Sequence, residues 1–309
     1  MARFESVSAR AAARIDDTAN CRPDPIMINS ALQQTASPPS ASRGILEITG
    51  LRIKYGDQEI LSIPQLTFPP NKITALIGPT ASGKSSLLRQ IAGLNHLIPT
   101  CQASGQLRLD GKEIPLDSGE GRRDIALLPQ KAQLYSGKVS DNLGTSLSNL
   151  ELAQWLDVLG LEDEIANDFD RNIEMLGLGH HRAILLLRLL LQRPSVLLLD
   201  EPLAGISPSE ESWMLRTIHR LSSRLTVIFI AHNKFHAHKA SDYVAVINHG
   251  TVTELTPTSV FFRQPASAPD TTWLNARKNW SIPHWDSNTQ DNISSTISFT
   301  PPQNTGSEK

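Results

Sequence analysis

Lys72 to Leu94 reads KITALIGPTASGKSSLLRQIAGL, an apolar strand, a glycine-bounded loop and an amphipathic helix in unbroken succession. The loop GPTASGKS, Gly78 to Ser85, fits the pattern G-x-x-x-x-G-K-[ST] and sits in the strand-to-helix context that its chemistry requires. Gly78 and Gly83 allow the backbone to bend through Pro79, Thr80, Ala81 and Ser82 so that successive amide N–H groups point inward, Pro79 alone having none to offer. The start of the following helix adds partial positive charge, so the loop can solvate phosphate oxygens in place of water. Lys84 is then placed to neutralise β and γ phosphates and the Ser85 hydroxyl to bind Mg²⁺, with Ser86 completing the set.

A second segment, SVLLLDEP at Ser195 to Pro202, supplies the acids that such a loop needs. A continuous apolar strand ending in Asp200 positions a carboxylate for the Mg²⁺ shell, and the adjacent Glu201 is placed to orient or deprotonate an attacking water. Either segment alone would have a bland reading, as a glycine turn or a capped strand. Together they specify a nucleotide site.

The surrounding chain alternates strands and helices, which implies an α/β layer structure. Upstream, ILEITGLRIKYGDQEIL has alternating apolar residues and turns at Gly50 and Gly56, and reads as two or three antiparallel strands. Downstream, QLRLDGKEI reads as a hairpin on Asp110-Gly111. ELAQWLDVLGLEDEI places Leu152, Trp155, Leu156 and Leu159 on one helical face, and LTVIFIAH reads as a buried parallel strand.

Composition bounds the remainder. Of 309 residues, 39% are hydrophobic and 19% charged, enough for a full-sized core. Lys plus Arg number 29 against 31 Asp plus Glu, and the formal charge of -2 nominates no nucleic-acid partner. Cys21 and Cys101 support neither a disulfide framework nor a cysteine zinc site. His232, His236, His238 and the doublet His180-His181 lack a completing carboxylate or cysteine at a recognised metal spacing. The longest apolar run, AILLLRLLL at Ala183 to Leu191, is interrupted by Arg188 and falls short of the roughly 18 residues that cross a bilayer. Residues 1 to 43 read as a disordered leader without an apolar signal core, with Met27 as an alternative start, and 265 to 309 as a flexible polar tail.

The order of the motifs resembles the ATP-binding subunits of ABC transporters across the whole middle section. The resemblance implies a P-loop NTPase domain over 44 to 264, with a RecA-like core, an antiparallel β subdomain and a small helical subdomain at about 135 to 182. In ALLPQKAQ, Gln130 matches the family's Q-loop glutamine, which ligates Mg²⁺ and senses the membrane partner. In IFIAHN, His232 matches the switch histidine at the γ-phosphate, and Tyr55 matches the aromatic that stacks on adenine. Two departures stand out. The family's LSGGQ signature, whose serine offers a hydroxyl to the γ-phosphate across a dimer interface, corresponds here to LGLGH at Leu176 to His180. A leucine where backbone must approach phosphate implies a shifted loop or a weaker ATP sandwich. The D-loop reads AGIS, with Ser207 at the family's Asp position.

LNHLIPTCQASGQLRLDGKEI, AHNKFHAHKASDYVAV and PTSVFFRQP are similar to segments of importer subunits, the first two to bacterial phosphate-import ATP-binding proteins. The resemblance therefore implies an ATP- and Mg²⁺-dependent ATPase at the cytoplasmic face of an inner membrane. It would work with membrane permease subunits, a second ATP-binding subunit and, indirectly, a solute-binding protein, importing phosphate or another inorganic anion. The alternative is a weakly hydrolysing regulatory or heterodimeric partner subunit, motivated by LGLGH and Ser207. An ABC-type ATPase acting on DNA or ribosomes is disfavoured by the near-neutral charge and by the absence of long coiled coils or a second ATPase unit.

Overall fold

The computed structural model describes residues 44–143, 149–161, 165, 168–222, 224–231 and 233–263. The expected leader at 1 to 43, the tail from 265 and His232 lie outside the described residues. Two sheets form the frame. A six-stranded sheet runs in the order β10-β9-β3-β8-β7-β6, and a four-stranded antiparallel sheet in the order β2-β1-β4-β5.

In the larger sheet, β3 (Ile73–Ile77) lies between β8 (Thr226–Ile230) and β9 (Tyr243–Asn248), parallel to both. All five residues of β3 and all five of β8 are buried, as a strand covered on both faces requires. β7 (Val196–Leu199) joins β8 to β6 (Ile125–Leu128), again in parallel, and β10 (Thr251–Pro257) closes the far edge against β9 in antiparallel register. The register aligns the carboxyl ends: Leu128 lies opposite Leu199, Leu199 opposite Phe229, and Leu76 opposite Ile230. The loop at 78–85, Gln130, Asp200 and Ala231 therefore all leave the sheet at the same rim, where ligands of open α/β sheets bind.

The smaller sheet comprises β1 (Leu46–Tyr55), β2 (Gln58–Phe68), β4 (Cys101–Leu109) and β5 (Lys112–Ile114). The β1–β2 turn sits at Gly56-Asp57, with Gly56 at positive φ, and the β4–β5 hairpin turns on Asp110 and Gly111, each at positive φ. Gly50 departs from the turn expected of it. It lies inside β1, where the register with β4 slips between Thr49 and Arg52, and the Gly50 carbonyl crowds the space beside Gly105. A local irregularity bends the strand without ending it.

Between the sheets, α1 (Lys84–Ile91) contributes Leu87, Leu88 and Ile91, all fully buried, to one continuous apolar core. That core takes Leu46, Ile48 and Phe68 from one sheet and Leu76, Leu198 and Ile230 from the other. The segment between β6 and β7 holds α2 (Val139–Leu143), α3 (Asn149–Leu159), a 3-10 turn at Ile173–Met175 and α4 (Leu178–Leu190). In α3, Leu152, Leu156 and Leu159 are buried and Trp155 is half-buried, so the apolar face lies where its spacing places it. Further on come α5 (Pro208–Arg220), α6 (Lys234–Ala240) and α7 (Thr258–Phe261). Among the described residues, no helix is long and apolar enough to cross a membrane.

Candidate functional site

The phosphate loop keeps its shape because its glycines are obligatory. Gly78 has φ 153° and Gly83 φ 97°, and side chains at these positions would run into the Ile247 carbonyl and, at 2.8 Å, the Leu61 side chain. Ala81 also adopts a left-handed conformation, with φ 63°. Gly83 is the N-cap of α1 and supplies no side-chain acceptor, so no capping side chain takes up the first amides of the helix.

Within this loop the Lys84 ammonium is almost entirely buried and donates to the carbonyl oxygens of Pro79 (2.6 Å) and Gly78 (3.0 Å) and to Ser82 Oγ (3.3 Å). Burial lowers the pKa of this lysine from its ordinary value, while the nearby charges of Glu201 and Asp200 act in the opposite direction. Beside it, Ser85 Oγ donates to Asp200 Oδ1 across 3.2 Å, joining residues 115 positions apart. The sheet register explains this contact, because β3 and β7 flank β8 and end at the same level.

Glu201 follows at φ 53°, a left-handed conformation that costs a non-glycine residue about 1 kcal/mol or more and is concentrated at functional sites. Its Oε2 accepts a 2.6 Å hydrogen bond from Gln130 Nε2, so the two acids and Gln130 assemble with the lysine loop. Hydroxyl, carboxylate and amide oxygens are the hard donors that Mg²⁺ prefers, and the cradle of amides and ammonium suits a polyphosphate. The residues present fit both groups.

Tyr55 is half-buried at the end of β1, its hydroxyl 3.3 Å from Asn95 Oδ1 and 3.4 Å from Ser86 Oγ. Asn95, almost wholly buried, also donates from Nδ2 to Ser86 O and to Gln90 Oε1, each at 3.0 Å. Asn95 therefore ties Tyr55 to the first turn of α1. Nothing in the local pattern of NHLIP, where Asn95 reads as an ordinary loop residue, signals this. Two described histidines beyond β8 are engaged elsewhere: His236 Nε2 lies 2.7 Å from Glu211 Oε1, and His238 packs edge-on against Phe262.

Comparison with known proteins accounts for this arrangement. The family model for ABC transporter domains matches residues 61–204, a span that contains the phosphate loop, Gln130 and the Asp200-Glu201 pair. Phosphate import ATP-binding protein PstB 2 of Listeria monocytogenes is 31% identical over 251 residues, covering 77% of this chain and 92% of the relative. The chain belongs to the ATP-binding family of ABC transporters. Similar proteins of the same name in Shouchella clausii and Aliivibrio fischeri are 28% and 29% identical, with 95% and 90% of their lengths covered. Among solved structures, a bacterial Atm1-family ABC exporter with ATP bound superposes with a TM-score of 0.64 at 20% identity. The match covers 81% of this chain and 44% of the exporter chain, and it shows a shared fold.

LGLGH, Leu176 to His180, forms the entry to α4. Gly177 is the N-cap of α4, Leu178 begins the helix with its side chain 43% exposed, and Gly179 is buried against Glu210. Ser207 caps α5 in a reciprocal capping box with Glu210.

Proposed function

We propose that this chain binds and hydrolyses ATP to energise solute import through a separate membrane permease, with phosphate or another inorganic anion as the solute. The observation that carries the reading is the convergence of Lys84, the Ser85–Asp200 contact and the Gln130–Glu201 contact at one rim of the sheet. The names of the import relatives support the direction of transport and the solute class.

In this reading, the amides of Gly78 to Ser85 and the Lys84 ammonium hold the β and γ phosphates, and Tyr55 offers its ring to the adenine. Ser85, Asp200 and Gln130 would hold Mg²⁺, which supplies neutralisation of charge on the phosphate oxygens. Glu201 orients a water in line with the γ-phosphorus and takes its proton as the new P–O bond forms and the bond to the β–γ bridging oxygen breaks. The products are ADP and inorganic phosphate. His232, placed by resemblance at the γ-phosphate, completes the set of reacting groups. The partners are the permease subunits, a second ATP-binding subunit and, through the permease, a solute-binding protein, all at the cytoplasmic face of an inner membrane.

Glu201→Gln tests the chemistry. The amide cannot accept the proton, so turnover falls by about 10²- to 10⁴-fold, while calorimetry with ATP and Mg²⁺ still registers binding. If the native chain gives no heat with ATP, the reading fails at its first step. Phosphate uptake by vesicles carrying the permease, with and without this chain, tests the solute.

A further inference from the structure

We propose that Glu210 fills the head of α4 from within the chain, so that this subunit lends only its phosphate loop to ATP and pairs with a different ATP-binding chain. The proposal rests on the reading above, with a second ATP-binding subunit as partner, and on the resemblance that sets a signature serine at the γ-phosphate across the dimer interface.

The two oxygens of Glu210 serve two helices. Oε2 accepts from Ser207 N at 3.0 Å and Ser207 Oγ at 2.8 Å, at the start of α5. Oε1 accepts from Gly179 N at 3.0 Å, in the first turn of α4, and lies 3.4 Å from His180 Nδ1. A Cβ at Gly177 would collide with Oε1, and one at Gly179 would lie 2.7 Å from the Glu210 Cβ. The carboxylate therefore occupies the room that a serine at 177 would need, and both glycines stand where the Glu210 side chain passes. Burial opposes its charge, but the hydrogen bonds from Ser207 and Gly179, with the His180 ring beside them, prevail and hold the carboxyl below its ordinary pKa. It is anionic at neutral pH.

A phosphate approaching this turn would meet a fixed negative charge and the exposed side chain of Leu178, and would find the Gly179 amide already engaged. Like charges brought together in an interface oppose association. Two copies of this chain are thus poorly matched around ATP. The complementary partner is a second ATP-binding chain whose signature turn keeps a hydroxyl and unengaged amides for phosphate.

The test is ATP-driven self-association, followed by sedimentation in a Glu201→Gln background that prolongs the ATP-bound state. Three full-length chains are compared: this parent, the parent with Glu210→Gln, and the parent with Gly177→Ser, Leu178→Gly and Glu210→Ser. The parent should remain monomeric with ATP and Mg²⁺. Glu210→Gln, which keeps the shape and removes the charge, should tighten self-association at least about tenfold, and the triple variant further. ATP affinity of the monomers, read by calorimetry, should agree within about twofold across the set, because the phosphate loop is untouched. Nucleotide-free association should not change, as a purely structural role would predict for both conditions. A parent that dimerises with ATP as tightly as its variants overturns the proposal, and so does Glu210→Gln without a shift. The latter decides alone if the triple variant does not fold. Absence of ATP heat in all three overturns the nucleotide reading itself, and this proposal with it.

Discussion

Lys84 shows how much of this site depends on one side chain. Its ammonium stitches the loop through the Gly78 and Pro79 carbonyls and is the only cation among the residues Gly78 to Ser86. Lys84→Met retains the apolar stem and removes the charge. ATP affinity by calorimetry should fall about 10- to 100-fold, the loss of one or two charge-assisted hydrogen bonds to phosphate, with the thermal midpoint little changed. Equal affinity in the variant would show that the amides alone seat the phosphates. Lys84, Ser85 and the acids are legible from spacing because each lies within a few residues of a strand end. Asn95 and Glu210 are not, since their roles arise from contacts with β1 and α4 that no local pattern encodes.

The helix that begins at the phosphate loop must also end in a defined place, and Arg122 holds that end. This arginine, 7% exposed, donates from Nε to Ile91 O at 3.0 Å and from Nη2 to Gln90 O at 3.4 Å, at the carboxyl end of α1. It also bonds the carbonyls of Pro115, Ser118 and Glu120 at 2.6, 2.7 and 2.9 Å. A cation at a helix carboxyl end complements the helix dipole, and the planar fork satisfies several acceptors at once. Arg122→Met should lower stability by about 2 to 4 kcal/mol, the cost of leaving buried carbonyls unpaired, measured by urea unfolding. Arg122→Lys should restore little, because an ammonium cannot span the fan of acceptors. In the sequence, GEGRRD gives Arg122 and Arg123 the same appearance. Only the packing of the β5–β6 loop against α1 buries one and exposes the other.

At the scale of the molecule, two half-buried titratable groups among the described residues give stability a common response to acid. His238 is held below its ordinary value of 6.5 by burial and by the adjacent Lys239 charge. As pH falls through 6.5, the unfolded chain takes a proton that the folded one refuses, so stability falls. Glu210 lies below its ordinary 4.5, so the stability it confers is present above that value and is lost as pH falls through the folded pKa. Urea midpoints should therefore drop in two stages between neutral and strongly acidic pH, and His238→Gln should flatten the first stage alone. A midpoint that rises between pH 7 and 5.5 would contradict the assignment. These responses, like the order of the strands, are tertiary properties. Strand–loop–helix units, the β-hairpin and the apolar face of α3 could be read from periodicity and glycine spacing, because neighbours along the chain set them. The placement of β3 between β8 and β9, the meeting of Ser85 with Asp200, and the seating of Glu210 against Gly177 and Gly179 came only from the fold. They depend on residues far apart in sequence, where burial and hydrogen bonding select one arrangement from many that the local pattern allows.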